Sequence, residues 1–153
     1  MEIAVVIPAY NEGRSIARVL RDVQAFSTYV VVVDDGSEDQ TARIAEEMGA
    51  DVLRHSVNRG QGAALETGKM YALHRGADII VTFDADGQHS ASDIERLIAP
   101  ILKGRADVVL GSRFLKTDAP LFLETRDHRM PLRRKMLLRL VLLHQWVFTG
   151  LSV

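Results

Sequence analysis

Short apolar runs rich in β-branched residues alternate along this chain with stretches whose apolar residues recur at helical spacing, and that alternation restricts the fold more than any other feature. Ile3 to Ile7, Tyr29 to Val33, Asp51 to Arg54, Asp78 to Phe83 and Asp107 to Leu110 read as strands. After the first, Ile16, Val19, Leu20 and Val23 fall at the i, i+3, i+4, i+7 spacing of one buried helix stripe. Ser37 with Gln40 has the pattern of a capping box, opening a second helix through Ala45 and Met48 that Gly49 is placed to end. Gly60 to Leu73 reads as a third helix, and Ser92 with Glu95 caps a fourth whose stripe is Ile94, Leu97, Ile98 and Ile101. Continuous apolar strands need cover on both faces and parallel neighbours need helical crossovers, so the pattern predicts an α/β sandwich around a mainly parallel sheet.

Beyond Gly111 the regularity lapses into a polar loop and resumes at Pro131 with a last helix through Trp146. From Met136 to Val153 only Arg139, His144, Gln145, Thr149 and Ser152 interrupt its apolar character. Arg139 and His144 leave no uninterrupted span of the roughly 20 residues that cross a bilayer. Its apolar faces are expected to be buried in more of the domain, in a partner chain, or in a membrane interface. Arg126, Arg129, Arg133, Arg134, Lys135 and Arg139 stand beside it against the single acid Asp127. Such a patch suits nucleic acid, an anionic membrane or a phosphorylated acceptor, and is equally the composition of a solvated helix face.

A length of 153 residues is that of one domain. The absence of cysteine removes disulfides and thiolate metal sites, so any metal must sit on oxygen or imidazole ligands, and cytoplasmic residence is compatible. The N-terminal apolar run lacks a preceding basic region and breaks at Pro8, as expected of a strand and not of a signal peptide.

Ligands of such sheets bind beyond the carboxyl ends of the strands, where Pro8 to Gly13, Asp34 to Ser37, Asn58 to Gly62 and Asp84 to His89 would gather on one rim. Asp84 and Asp86, one residue apart after an apolar strand, can supply hard oxygen ligands to a hydrated Mg or Mn ion that leaves positions open for phosphate oxygens. The same Asp-Ala-Asp-Gly composition also makes ordinary turns. Tyr10 offers an aromatic face for a base or ribose, Glu12 a carboxylate for sugar hydroxyls, and Asp34-Asp35-Gly36-Ser37 an acceptor for a base N–H or ribose hydroxyl. Three acidic strand ends suit a nucleotide whose phosphates are held through a metal, because bare phosphates would be repelled.

Asn58-Arg59-Gly60-Gln61-Gly62 is not a dinucleotide fingerprint, since Leu65 stands where the third glycine belongs, and no P-loop occurs. His55, His74 and His128 lack metal-ligand spacing and read as solvated or core histidines. His89 lies on the acidic loop within reach of a metal or phosphate, Gln88 adds a neutral oxygen, and Arg113, past the fifth strand, can hold a departing diphosphate.

In this order, Ile7-Pro8-Ala9-Tyr10-Asn11-Glu12, Val32-Val33-Asp34-Asp35-Gly36-Ser37, Asn58-Arg59-Gly60-Gln61-Gly62, Asp84-Ala85-Asp86-Gly87-Gln88-His89 and Gly111-Ser112-Arg113-Phe114 closely resemble family 2 glycosyltransferases. Within that family the chain is most similar to the dolichyl-phosphate mannose synthase and polyprenyl-phosphate glycosyltransferase branch. The resemblance implies a three-layer GT-A fold with a mainly parallel sheet and an inverting sugar transfer from a nucleotide diphosphate donor. It divides the single domain into a nucleotide-sugar and metal-binding core, 1–114, and an acceptor-side loop and amphipathic helix, 115–153. By the same resemblance Pro8, Tyr10, Glu12, Val33 and Asp35 hold the nucleoside, and Asp84, Asp86 and Gln88 hold Mg or Mn with the diphosphate. Ala85 lies against the substrate, and Asp86 and Arg113 are the catalytic residues, Arg113 on the phosphates.

Similar proteins continue past the equivalent of Thr149-Gly150-Leu151-Ser152-Val153 into an acidic segment and Gly-Phe-Arg, so a C-terminally short chain is expected. The implied partners are GDP-mannose or UDP-glucose, a lipid-phosphate acceptor at the cytoplasmic membrane face, no nucleic acid, and a second copy through the last helix. Two other readings fit the residues: a nucleotide-sugar binding module without catalysis, and a family 2 enzyme acting on a polysaccharide or soluble acceptor.

Overall fold

The computed structural model describes residues 1–111 in full, together with the backbone of 121–123 and 140–142. Four strand–helix pairs come first: β1 (Ile3–Ala9), α1 (Ile16–Gln24), β2 (Tyr29–Asp34), α2 (Thr41–Glu47), β3 (Asp51–Arg54), α3 (Gln61–His74), β4 (Ile79–Thr82) and α4 (Asp93–Leu102). Three short strands follow, β5 (Val108–Leu110), β6 (Leu121–Leu123) and β7 (Leu140–Leu142). The sheet order is β3-β2-β1-β4-β7-β5-β6, with only the β5–β6 pair antiparallel. The mainly parallel sandwich predicted from the alternation is therefore the observed one. Neither β6 nor β7 was expected: β6 lies in the stretch predicted as a polar loop, and β7 lies within the stretch predicted as the last helix and separates β4 from β5. Leu140-Val141-Leu142 is an apolar triplet, and a run that short is compatible with either structure until a neighbouring strand fixes it. The rest of that predicted helix, its basic residues and Arg113 lie outside the described residues. Among the described residues no helix is long and apolar enough to cross a membrane.

The pleat sorts the strands into two cores. Val5, Ile7, Val30, Val32, Ile79 and Val81 face α1 and α4, meeting Ile16, Val19, Leu20 and Val23 on one and Ile94, Leu97, Ile98 and Ile101 on the other. Both helix stripes read from the sequence are buried as predicted. Ala4, Val6, Val31, Val33 and Ile80 point to the opposite face, covered by Ala64 and Ala72 of α3. α3 lays a stripe of small residues on the sheet, and at Gly68 a Cβ would lie 2.4 Å from Val6 Cγ1 and 3.0 Å from Val33 Cγ2. The helix can sit this close only because nothing projects there.

Gly49, at φ 81°, ends α2 as expected. Neither capping box forms, however. α2 starts four residues after Ser37, whose hydroxyl instead accepts from Asn11 N at 2.9 Å, and the Ser92 hydroxyl pairs with that of Ser90 at 2.7 Å. In each case a nearer loop partner takes the side chain that the local pattern assigns to the helix.

Candidate nucleotide-sugar site

β1 lies between β2 and β4, so the chain reverses its direction of sheet growth at β1, and a crevice opens beyond the carboxyl ends of these strands. A cleft of about 350 Å³ occupies it, lined by Pro8 and Ala9 at the end of β1 with Tyr10 and Glu12 after it, Asp35 after β2, Asn58, Gly60, Gln61 and Ala64 around the start of α3, and Asp84, Ala85 and Asp86 after β4. The described lining holds the carboxylates of Glu12, Asp35, Asp84 and Asp86 and no lysine or arginine. These described carboxylates would repel a bare anion, and a bound cation would offset that repulsion.

Hydrogen bonds fasten the first two rim loops together. Asn11, in the left-handed region at φ 56°, accepts at Oδ1 from Glu38 N at 2.9 Å. Glu12 N donates to Thr41 Oγ1 at 2.8 Å and Gly13 N to Asp39 Oδ2 at 2.9 Å. The Glu12 side chain is set by Ser15, whose hydroxyl donates to Oε2 at 2.5 Å. Tyr10 remains 45% exposed, leaving its ring free on the cleft wall.

The two aspartates after β2 have different tasks. Asp34 is wholly buried, accepts from Arg54 Nε at 3.0 Å and from Ser37 N at 3.2 Å, and belongs to the scaffold. Asp35 faces the cleft and clamps the next loop: Oδ1 accepts from Arg59 N at 3.0 Å and meets His55 Nδ1 at 2.6 Å, while Oδ2 accepts from Gly60 N at 2.7 Å. Burial works against its charge, but the bonds from Arg59, His55 and Gly60 outweigh it and hold the carboxyl below the usual aspartate range. His55 is nearly buried and its Nε2 meets Thr67 Oγ1 at 3.0 Å, so it is the satisfied histidine expected from the sequence.

On the β4 side both oxygens of Asp84 are held by uncharged or imidazole groups, Oδ1 by Gln61 Nε2 at 3.1 Å and Oδ2 by His89 Nε2 at 3.2 Å. Asp86 Oδ1 accepts from Gln88 N at 2.9 Å, and Arg18 Nη2 of α1 donates to Gly87 O at 3.3 Å, tying the acidic loop to the helix layer. Among the described residues no three His, Asp or Glu side chains converge to hold a metal by themselves. Asp84 and Asp86 nevertheless fit a hard divalent ion of the Mg type, which takes one or two carboxylates and completes its shell with water and phosphate oxygens.

The structure thus gathers Pro8, Tyr10, Glu12, Asp35, Asp84, Ala85 and Asp86 on one cleft. Val33 is fully buried against α3 beneath it, and Gln88 is exposed beside it on the acidic loop. Gln61, Arg18 and the His55 clamp were not assigned to the site from the sequence. Only the Gly60-Gln61-Gly62 motif marked that neighbourhood, because pairings across 12 to 69 residues leave no local periodicity.

A model described as Glycosyl transferase family 2 matches residues 4–150. The chain belongs to glycosyltransferase family 2. This family 2 chain is 38% identical over 129 residues to a UDP-N-acetylglucosamine–dolichyl-phosphate N-acetylglucosaminyltransferase of Methanococcus voltae, covering 72% of this chain and 51% of that one. It is 35% identical over 119 residues to polyprenol monophosphomannose synthase of Mycolicibacterium smegmatis, covering 72% and 44%. It spans about half the length of the curated relatives it matches. Among solved structures, glucosyl-3-phosphoglycerate synthase of Mycobacterium tuberculosis in complex with Mn2+, UDP-glucose and phosphoglyceric acid superposes with a TM-score of 0.60 at 28% identity, covering 74% of this chain and 44% of that one. Mannosyl-3-phosphoglycerate synthase of Rubrobacter xylanophilus, at 21% identity and a TM-score of 0.60, shares the fold. That fold is GT-A, as the resemblance implied.

Proposed function

We propose that this family 2 chain carries out a metal-dependent, inverting transfer of a hexose, mannose or glucose, from GDP-mannose or UDP-glucose to a polyprenyl or dolichyl phosphate at the cytoplasmic face of a membrane. The observation that carries the reading is the composition of the cleft: carboxylates and an aromatic ring at a GT-A switch point, with no basic side chain in the described lining. Relatives named for transfer to dolichyl phosphate or for polyprenol mannosylation support the acceptor, and a neighbour solved with Mn2+ and UDP-glucose supports the donor and the ion.

Pro8, Tyr10, Glu12, Val33 and Asp35 are assigned to the nucleoside, with Tyr10 supplying the stacking face. Asp35 Oδ2 accepts one bond, from Gly60 N, and retains capacity for a base or ribose donor. Asp84, Asp86 and Gln88 would hold Mg or Mn, which supplies Lewis-acid neutralisation of the departing nucleotide diphosphate. Ala85 keeps that wall small beside the donor, and Asp86 and Arg113 are assigned the catalytic roles, Asp86 through the ion and Arg113 by charge-assisted bonds to the leaving phosphates. The nucleophile is an oxygen of the lipid phosphate attacking the anomeric carbon from the face opposite the diphosphate. A phosphate monoester has its second pKa near about 6, so this acceptor is already anionic at neutral pH and needs positioning more than deprotonation.

Incubating the chain with radiolabelled GDP-mannose or UDP-glucose and a polyprenyl phosphate, with and without Mn2+, tests the reading. Mn2+-dependent label in the lipid fraction is expected. Mn2+-dependent nucleotide binding without transfer would replace it with a binding module, and transfer only to a soluble acceptor such as phosphoglycerate would replace the lipid.

A further inference from the structure

Asp84 is fixed from outside its own loop. Gln61 reaches it across the cleft from the first position of α3, and the start of α3 is in turn held by Asp35 through the amides of Arg59 and Gly60. We propose that Gln61 is a positioning residue for the cation and diphosphate half of the site, and that the Asp35–His55 clamp sets its place from the nucleoside half. The inference rests on the donor-binding reading above and assigns a residue that reading does not use.

The chemistry of the pair favours this role. A carboxylate meant to meet a cation must be oriented without having its charge cancelled. An amide N–H does this, whereas lysine or arginine at the same point would compete with the cation and glutamate would repel Asp84. Oδ1 of Asp84 takes the Gln61 amide and Oδ2 takes the His89 ring, so the carboxylate plane is held from both sides while each oxygen keeps a lone pair free. Gln61 is itself exposed and forms no part of either hydrophobic core, so packing does not account for its position. An unanchored glutamine would have to give up much rotamer freedom to hold one geometry. Here the backbone that carries it is fixed by the clamp, with Asn58 Oδ1 also accepting from Gly60 N at 3.0 Å. Nucleoside contact at Asp35 and cation contact at Asp84 are therefore linked through one short segment, Arg59 to Gln61.

Binding of Mn2+ with UDP and with GDP to the full 153-residue chain, followed by calorimetry and by the loss of free Mn2+ signal in electron paramagnetic resonance, tests this with Gln61→Leu and Gln61→Asn. Removing an orienting partner of a metal ligand is expected to weaken Mn2+–nucleotide binding about 10–100-fold. Gln61→Leu replaces the amide with an apolar side chain and loses the donor, and Gln61→Asn keeps the donor but falls short of Asp84. Both are expected to lower Mn2+ affinity while leaving the thermal midpoint and metal-free binding of uridine or guanosine at wild-type values, a split that a merely structural role would not produce. Wild-type affinity for Mn2+–nucleotide in both variants overturns the inference and leaves the donor-binding reading standing. A wild-type chain that binds neither nucleotide with Mn2+ overturns both.

Discussion

Asparagine at position 35 is nearly isosteric with aspartate, yet it removes a charge and turns one acceptor oxygen into a donor at the point where three segments meet. In the native clamp Oδ1 serves Arg59 N and His55 Nδ1 while Oδ2 serves Gly60 N. An asparagine carbonyl can satisfy one of these sides, and its NH2 then faces an N–H on the other. Hydrogen bonds to charged groups contribute about 1.5–3 kcal/mol each, and an unmet buried donor costs about 1–3 kcal/mol. Because Gly60 N keeps Asn58 Oδ1 at 3.0 Å, part of that penalty is relieved, and Asp35→Asn is expected to destabilise the fold by about 2–3 kcal/mol. The pH dependence has a definite sign. Asp35 is held below the usual aspartate range, so its stabilisation is complete above the unfolded-state value of about 3.9 and is lost as pH falls through the lower folded value. Urea unfolding of both proteins at about pH 5 and about pH 3 should show the gap narrowing at the lower pH. A gap within the roughly 0.5 kcal/mol of an ordinary surface change, or one that does not narrow, refutes the clamp as the source of stability.

Gly68→Ala places a methyl 2.4 Å from Val6 Cγ1; the overpacking costs about 1–3 kcal/mol, partly offset by about 1 kcal/mol of helix propensity. A double-mutant cycle with Val6→Ala should show favourable coupling of about 0.5 kcal/mol or more, and strict additivity of urea midpoints would show that α3 does not rest on that contact. Asp84→Asn, or chelation of the wild type with EDTA, is expected to reduce nucleoside diphosphate binding by about 100-fold or more, because the remaining carboxylates then face the phosphates without a cation; undiminished binding in calorimetry would remove the metal from the reading. Arg18→Ala gives up the 3.3 Å bond to Gly87 O at an exposed position, so stability should change by less than about 0.5 kcal/mol while Mn2+–nucleotide affinity falls severalfold. Unchanged affinity would mean that the acidic loop holds its shape without α1.

The layers and the rim were legible because they depend on periodicities that the chain carries locally. Ile16, Val19, Leu20 and Val23 are buried because a 3.6-residue repeat can present only one face, and the strand runs are apolar throughout because both faces of the sheet are covered. The switch-point rule then places Tyr10, Asp35 and Asp84 on one cleft without any knowledge of their distances. Local patterns were weaker guides to side-chain partners. Ser92 stands at the N-cap of α4 and Ser37 three residues before that of α2, yet the Ser90 hydroxyl and the Asn11 amide take their oxygens. Leu140-Val141-Leu142 reads in the sequence as part of the last helix, and its pairing between β4 and β5 makes it a strand instead.

The sequence by itself determined the alternation of strands and helices, the apolar stripes, and the carboxylates that gather at one end of the sheet, since each follows from residue type and spacing along the backbone. Only the tertiary structure decided what those carboxylates do. It separated Asp34, buried against Arg54, from Asp35 on the cleft, although the two are adjacent in the chain. It also brought Gln61 to Asp84 across 23 residues and His55 to Asp35 across 20. Such pairings arise where loops converge on a sheet edge. Their geometry is set by strand order and by how closely α3 packs at Gly68, and neither is written in the neighbourhood of the residues that meet.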